Sequence, residues 1–260
     1  MSKFEAEIEQ AAQKLAESAS VLFVTGAGIS ADSGVPTYRG VGGLYNVDTT
    51  ADGMPIEELL SGETMEKQPE LTWKYLHEIA SACKGARFNR GHKVIAEIEK
   101  KFPRVWTLTQ NVDGFHRDAG GKNVIEIHGN LSELKCTLCD FREMVADLDG
   151  LADLPLCAKC ESVLRPDVVL FGELLSLENI ELLQTELDKG FDLVFSIGTS
   201  SLFPYIMEPV WRAKQQGAPT IEINPDETEV SGIVDLKVPT GAAEALDRIW
   251  ATYLEISDAP

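Results

Sequence analysis

Short apolar runs alternate with stretches of helical periodicity, a glycine turn follows the first run, and two C-x-x-C pairs sit mid-chain. Together they predict an α/β fold: a Rossmann-like parallel sheet domain with a small inserted zinc-binding module. Strands this continuously apolar belong to parallel sheets covered on both faces. The strand candidates are residues 21–25, 105–109, 124–127, 168–171, 193–197, 220–223 and 233–238. The helix candidates are 5–17, 71–83, 91–101, 177–189, 206–215 and 242–254.

The first helix places Phe4, Ile8, Ala11, Ala12 and Leu15 on one face. Behind the first strand, Gly26 to Ala31 fit G-x-G-x-x-G/A, a turn that sets a pyrophosphate on a helix N-terminus. Ser33-Gly34-Val35-Pro36 then stops the helix after about one turn. Residues 35–69 carry many Gly, Pro and acidic residues and read as a long functional loop.

In open α/β sheets, ligands bind beyond the carboxyl ends of the strands. Gln110, Asn111 and Asp113 follow the second strand, and His128, Gly129 and Asn130 the third. Gly198, Thr199 and Ser200 follow residues 193–197, and Asn224 follows 220–223. Singly, Asn111 and Asp113 also read as helix caps, and His128 as a hydrogen-bonded structural histidine. Jointly these groups are expected to face one crevice.

Cys136, Cys139, Cys157 and Cys160 form two pairs separated by seventeen residues. That is the spacing of a tetrahedral site, although C-x-x-C also serves redox chemistry. Four thiolates leave no position open for water, so one structural zinc per chain is expected. Cys83 falls in a helical pattern and reads as buried and inert.

The expected division is a Rossmann-like domain (1–34, 104–129 and 166–260), a loop and helical insertion (35–103) and the zinc-binding module (130–165). Net charge is −19, which repels a phosphate backbone, so nucleic acid is not expected as a direct partner. No run approaches 18 apolar residues, so no membrane partner is expected, and the charged N-terminal stretch points to the cytoplasm. Oligomeric state is not legible.

Seven blocks occur in one order: GAGISADSGVPTYR (26–39), TQNVDGFHRDAG (109–120), His128-Gly129, the four cysteines, RPDVVLFGE (165–173), GTSSLFP (198–204) and Ile223-Asn224. Over about residues 15–250 the chain resembles the sirtuins, NAD-dependent protein-lysine deacylases. The GTSSLFP match is not literal, because of the second serine.

The resemblance implies NAD as cofactor and acyl-lysine proteins as substrates. It sets the pyrophosphate over Gly26, Ala27 and Gly28 and near Gly198, Thr199 and Ser200. It assigns Asn224 to the adenosine ribose, Ala242 to the adenine, and Asp113 with the backbone at Ile29 to the nicotinamide carboxamide. Tyr38 and Arg39 would belong to a loop closing over the cofactor. His128 would be the general base on a ribose hydroxyl, and Asn111 and Gln110 would orient the ribose and a water. Ordinary imidazole basicity, near pH 6.5, suits that proton transfer. The products implied are nicotinamide, deacylated lysine and O-acyl-ADP-ribose. Val169, Phe171 and Gly172 would line the acyl-lysine site.

Thr37 and Tyr38 depart from the family's Asp and Phe, and Thr37 with Gly40 to Gly43 resembles the branch that removes succinyl and malonyl groups. The positions where that branch carries a Tyr and an Arg fall on Leu76 and Ile79, or with a one-residue slip on Tyr75 and Glu78. Neither supplies a cation, so a preference for uncharged acyl groups is expected. Protein ADP-ribosylation and a non-catalytic NAD-sensing role are the alternative readings.

Overall fold

The computed structural model describes residues 4–36 and 49–258. Six parallel strands form the main sheet, in the order β3-β2-β1-β7-β8-β9. They are β1 (Ser20–Thr25), β2 (Arg104–Thr109), β3 (Val124–Glu126), β7 (Leu193–Ile197), β8 (Thr220–Ile223) and β9 (Leu236–Val238). A smaller antiparallel sheet pairs β5 (Arg142–Met144), β4 (Gly129–Cys136) and β6 (Leu164–Val168), in that order. The chain builds outward from β1 to β3, then returns to β7 on the other side of β1. The ends of β1 and β7 therefore flank the switch point, where such sheets open a crevice.

Two cores cover the two faces of the main sheet. On one, Phe23 stacks on Phe195 and the strands bury against α1 (Glu5–Ala16), α6 (Arg90–Lys101) and α10 (Ala242–Ser257). The predicted face of α1 holds: Ile8, Ala11, Ala12 and Leu15 are buried, and Phe4 packs against the same core. On the other face, Leu22, Val24 and Val194 meet α8 (Leu177–Asp188) and α9 (Pro204–Gln216). Apolar side chains on both faces of each strand explain why these strands read as continuous runs.

The third core departs from the expected division. Ile56 and Leu59 of α3 (Ile56–Leu59), Met65 of α4 (Gly62–Lys67) and Trp73 of α5 (Pro69–Ala82) share it with Leu134, Cys136, Cys157 and Val168. The helical insertion and the cysteine-bearing sheet thus bury their apolar residues together. Residues 49–69, expected as loop, contain α3 and α4. Helices of four and six residues are too short to display a period. The strand expected at residues 168–171 lies earlier, as β6, and pairs with β4 instead of joining the parallel sheet. Its apolar run fits either kind of sheet, and only the pairing partner distinguishes them. Cys83 caps the C-terminus of α5 and is half-buried, not buried as expected. No helix among the described residues is long and apolar enough to cross a membrane.

Candidate active site

The glycine turn forms as the sequence predicts, and its neighbour explains the glycines. Gly26 caps the short helix α2 (Ala27–Ala31), directly beside the turn after β7. A Cβ on Gly26 would sit 2.8 Å from the Gly198 carbonyl oxygen, and one on Gly28 2.6 Å from Gly198 Cα. Gly198 itself has φ +57°, a conformation that favours glycine. Two turns from opposite sides of the switch point therefore touch backbone to backbone. α2 ends at Ala31, and the chain turns through Gly34, at φ +79°, before reaching Pro36. Tyr38 and Arg39, like Thr37 and residues 40–43, lie outside the described residues.

The strand-end residues converge. Gln110 donates its side-chain amide to Thr199 Oγ1 at 2.7 Å. Asn111 donates to the Gly26 carbonyl and to Ser30 Oγ, each at 3.1 Å. Ser30 donates to Asp113 Oδ2 at 2.7 Å, and the Phe115 N–H donates to Asp113 Oδ1 at 3.0 Å. Loss of water around Asp113 raises its pKa, against these two hydrogen bonds, which lower it. Asn224 is tied inward, with Nδ2 on the Thr199 carbonyl and Oδ1 accepting from the Asp226 N–H. Ser200 is exposed at the mouth, while Ser201 is fully buried at φ +56°. Ala242 is buried at the start of α10, whose next N–H is held by Asp32.

His128 follows β3. Its Nδ1 lies 3.1 Å from the Gln110 carbonyl oxygen, which can only accept, so Nδ1 carries the proton. Its Nε2 lies 2.7 Å from Tyr205 Oη. Burial lowers the His128 pKa below its ordinary value, opposed by the Gln110 carbonyl, and leaves the ring neutral near pH 7.

Sequence reasoning did not single out the buried layer behind these groups. His92 is wholly buried, 3.4 Å from Ser30 Oγ, and burial pushes its pKa down to about 4. His116 lies edge-on to it and bonds Thr25 Oγ1 at 2.9 Å. Asn89 caps α6 and donates to Ile29 O and Ser33 Oγ, which ties α6 to α2. The capping pattern Asn89-x-x-His92 was the available signal. Tyr205 left none, because it belongs to no strand end.

Val169, Phe171 and Gly172 lie along the strand that leaves the small sheet. The Val169 N–H donates to the His128 carbonyl, and Phe171 exchanges backbone hydrogen bonds with Leu60 and Gly62. Arg165, nearly buried, grips Glu173 through both nitrogens at 2.5 and 2.9 Å and fixes the turn after Phe171. Leu76 is buried, and Ile79 packs against the same core. The neighbouring Tyr75 hydroxyl and Lys74 ammonium both bond Asp52, at 2.6 and 2.5 Å.

The four cysteines come together as expected. Their sulfurs lie within 4.8 Å of one another, with close pairs at 3.5 to 3.7 Å. A tetrahedron with Zn–S of about 2.3 Å puts sulfurs about 3.8 Å apart, so the donor set fits one zinc. The N–H groups of Leu138, Cys139 and Lys159 point at Cys136 and Cys157 sulfurs, each at 3.4 Å. These bonds stabilise thiolate charge.

Fold and site define a class: a doubly wound α/β protein whose crevice carries a neutral histidine, next to a closed four-cysteine module. The Sir2 family model matches residues 26–203. The NAD-dependent protein deacylase 2 of Pseudomonas aeruginosa is 48% identical over 250 residues, covering 93% of this chain and 95% of that one. A Sir2 homologue solved with NAD superposes with TM-score 0.85 at 36% identity, covering 95% of this chain and 94% of that one. A Sir2 homologue variant solved with 2′-O-acetyl ADP ribose gives 0.86 at 35% identity, covering 96% and 98%. The chain belongs to the Sir2 family.

Proposed function

We propose that the protein is an NAD-dependent protein-lysine deacylase, releasing nicotinamide and O-acyl-ADP-ribose and preferring uncharged acyl groups. The observation that carries this reading is His128, a neutral imidazole beside the turn that bears Asn111 and Asp113. The named relative and the two complexes above support the same chemistry.

The residues present suit NAD. Gln110, Asn111, Ser200 and Asn224 are neutral amides and a hydroxyl, the partners that ribose hydroxyls and a carboxamide take. When bound, NAD supplies a C1′ that becomes electrophilic as nicotinamide departs. Asp113 and the Ile29 backbone would hold the carboxamide, and the glycine turn with Gly198, Thr199 and Ser200 would face the pyrophosphate. Tyr38, Arg39 and Ala242 would complete the cofactor site. His128 would take the proton of a ribose hydroxyl, and Val169, Phe171 and Gly172 would receive the acyl-lysine. Leu76 and Ile79 bring no charge to an acyl carboxylate, and Lys74, two residues before Leu76, is paired with Asp52. Cys136, Cys139, Cys157 and Cys160 would hold structural zinc.

Residues 1–34, 104–129 and 166–260 would form the NAD-binding domain, 35–103 a cofactor-binding loop and helical insertion, and 130–165 the zinc-binding module, with β6 crossing the boundary at 166. Work in the cytoplasm, on acyl-lysine proteins, completes the proposal. The test is incubation with NAD and an acetyl-lysine peptide, following nicotinamide and deacetylated peptide. Coupled release of both supports the reading. Transfer of ADP-ribose to protein without deacetylation would replace it with the ADP-ribosyltransferase reading, and no turnover would leave an NAD-sensing domain.

A further inference from the structure

The lone pair on which the proposed chemistry depends is already engaged. His128 Nδ1 gives its proton to Gln110 O, so Nε2 is the acceptor and the Tyr205 hydroxyl is the donor at 2.7 Å. One sp² lone pair accepts one strong hydrogen bond. A substrate hydroxyl that is to lose its proton to Nε2 must therefore take the place Tyr205 Oη occupies.

The tyrosine is held there by its two preceding residues. Pro204 opens α9 with its pre-set φ, so Tyr205 is the second residue of the helix. Phe203, the N-cap residue, stacks on the Tyr205 ring with centroids 5.4 Å apart and 14° between planes. The same Phe203 meets the His128 ring edge-on at 6.0 Å. Burial raises the phenol's pKa, so it keeps the proton it donates. Facing the imidazole are the Gln110 carbonyl from the loop after β2, and Phe203 and Tyr205 from α9. Burial lowers the pKa of the imidazole, and the Gln110 carbonyl acts against that.

We propose that Tyr205 is a positioning residue for His128: while the Gln110 carbonyl holds the proton on Nδ1, the Tyr205 hydroxyl aims Nε2 until a substrate hydroxyl displaces it. The catalytic part of this rests on the deacylase reading; the tautomer and the hydrogen bond do not. A donor to the neutral ring favours the neutral form. Losing that donor makes the ring easier to protonate in the free enzyme and changes nothing once a substrate hydroxyl has replaced it.

Tyr205→Phe keeps the stacked ring and removes the oxygen. In ligand-free protein with ¹⁵N-labelled histidine, the wild-type His128 resonances should show the Nδ1–H tautomer. In the variant the Gln110 carbonyl should keep that tautomer, and the titration midpoint should rise by about one pH unit, the equivalent of one net hydrogen bond. In turnover, the acid limb of kcat/KM for NAD at saturating peptide should move up by the same amount, while that of kcat stays, because the two report free and bound forms. Phe203→Leu, which loosens the ring without touching the hydroxyl, should move both free-enzyme readouts in the same direction by less.

An unchanged midpoint in Tyr205→Phe would overturn the proposal. Equal movement of both kinetic limbs would overturn the displacement, and a uniform gain in activity would show a mere obstruction. If wild-type protein shows no deacylation, the functional reading fails, and the resonance measurement still decides whether Tyr205 sets the histidine.

Discussion

The four-cysteine module and the crevice at the strand ends are built on opposite plans. The module draws its four ligands from 25 consecutive residues, 136–160, and its knuckle N–H groups come from the same two turns. The crevice draws each group from one segment and its partner from another: Asn111 on Gly26 and Ser30, Gln110 on Thr199, His128 on Tyr205. In the module, position in the chain nearly dictates chemistry. In the crevice, a side chain's chemistry is set by a distant residue that fixes its proton or its burial. Damage to the module should therefore be structural, and damage to the crevice chemical.

The largest expected effect breaks the module. Cys157 belongs to the third core as well as to the cysteine cluster that could hold the metal, so Cys157→Ser should drop zinc from about one per chain to near zero. Thermal denaturation should move down by about ten degrees or more. Zinc loss with an unchanged melt would deny the metal its structural role.

His128→Ala probes the other plan. Deacylation should fall by about 10²- to 10⁴-fold, while zinc content stays at one and the melt moves little. A variant that keeps full activity would remove His128 from the chemistry. A large drop in melting temperature would erase the contrast between the regions.

Acyl preference sharpens the account of the third core, where Leu76 and Ile79 pack and Lys74 is engaged by Asp52. An acetyl peptide should exceed its succinyl counterpart in kcat/KM by about tenfold or more, the cost of a carboxylate buried without a partner. Succinyl matching or exceeding acetyl would show that a cation reaches the pocket.

A pH-dependent effect comes from His92, behind the crevice. Its pKa falls from the ordinary 6.5 to about 4 by burial, so between these values the unfolded chain binds a proton that the fold does not. The stability from this burial is complete above pH 6.5, declines as pH falls toward 4, and levels off below. For this one group the decline is roughly 3 kcal/mol. Melts across that range should show the loss, and His92→Gln should flatten it. An equally steep loss in the variant would assign it elsewhere, for example to His116.

The same contrast governs what was legible in the sequence. The parallel sheet was legible because its strands are apolar on both faces and five of the six end in a polar cluster. The cysteine site was legible from spacing alone. α3 and α4 were not, because four or six residues complete too little of a helical period. β6 was misplaced because an apolar run records burial and not its pairing partner. In the crevice, His128, Asn111 and Asp113 were legible by position. His92, Ser30 and Tyr205 were not picked out, since each acts through a contact made only by the folded chain. The glycines at 26 and 28 were read as room for a phosphate, and the fold adds that Gly198 leaves no room for a Cβ.

The most direct measurement counts products. With purified protein, NAD and an acetyl-lysine peptide, mass spectrometry should find nicotinamide, deacetylated peptide and O-acetyl-ADP-ribose in equal amounts, and none of the last with His128→Ala. Nicotinamide released without O-acetyl-ADP-ribose, or ADP-ribose attached to protein in its place, would contradict a deacylase that works through His128.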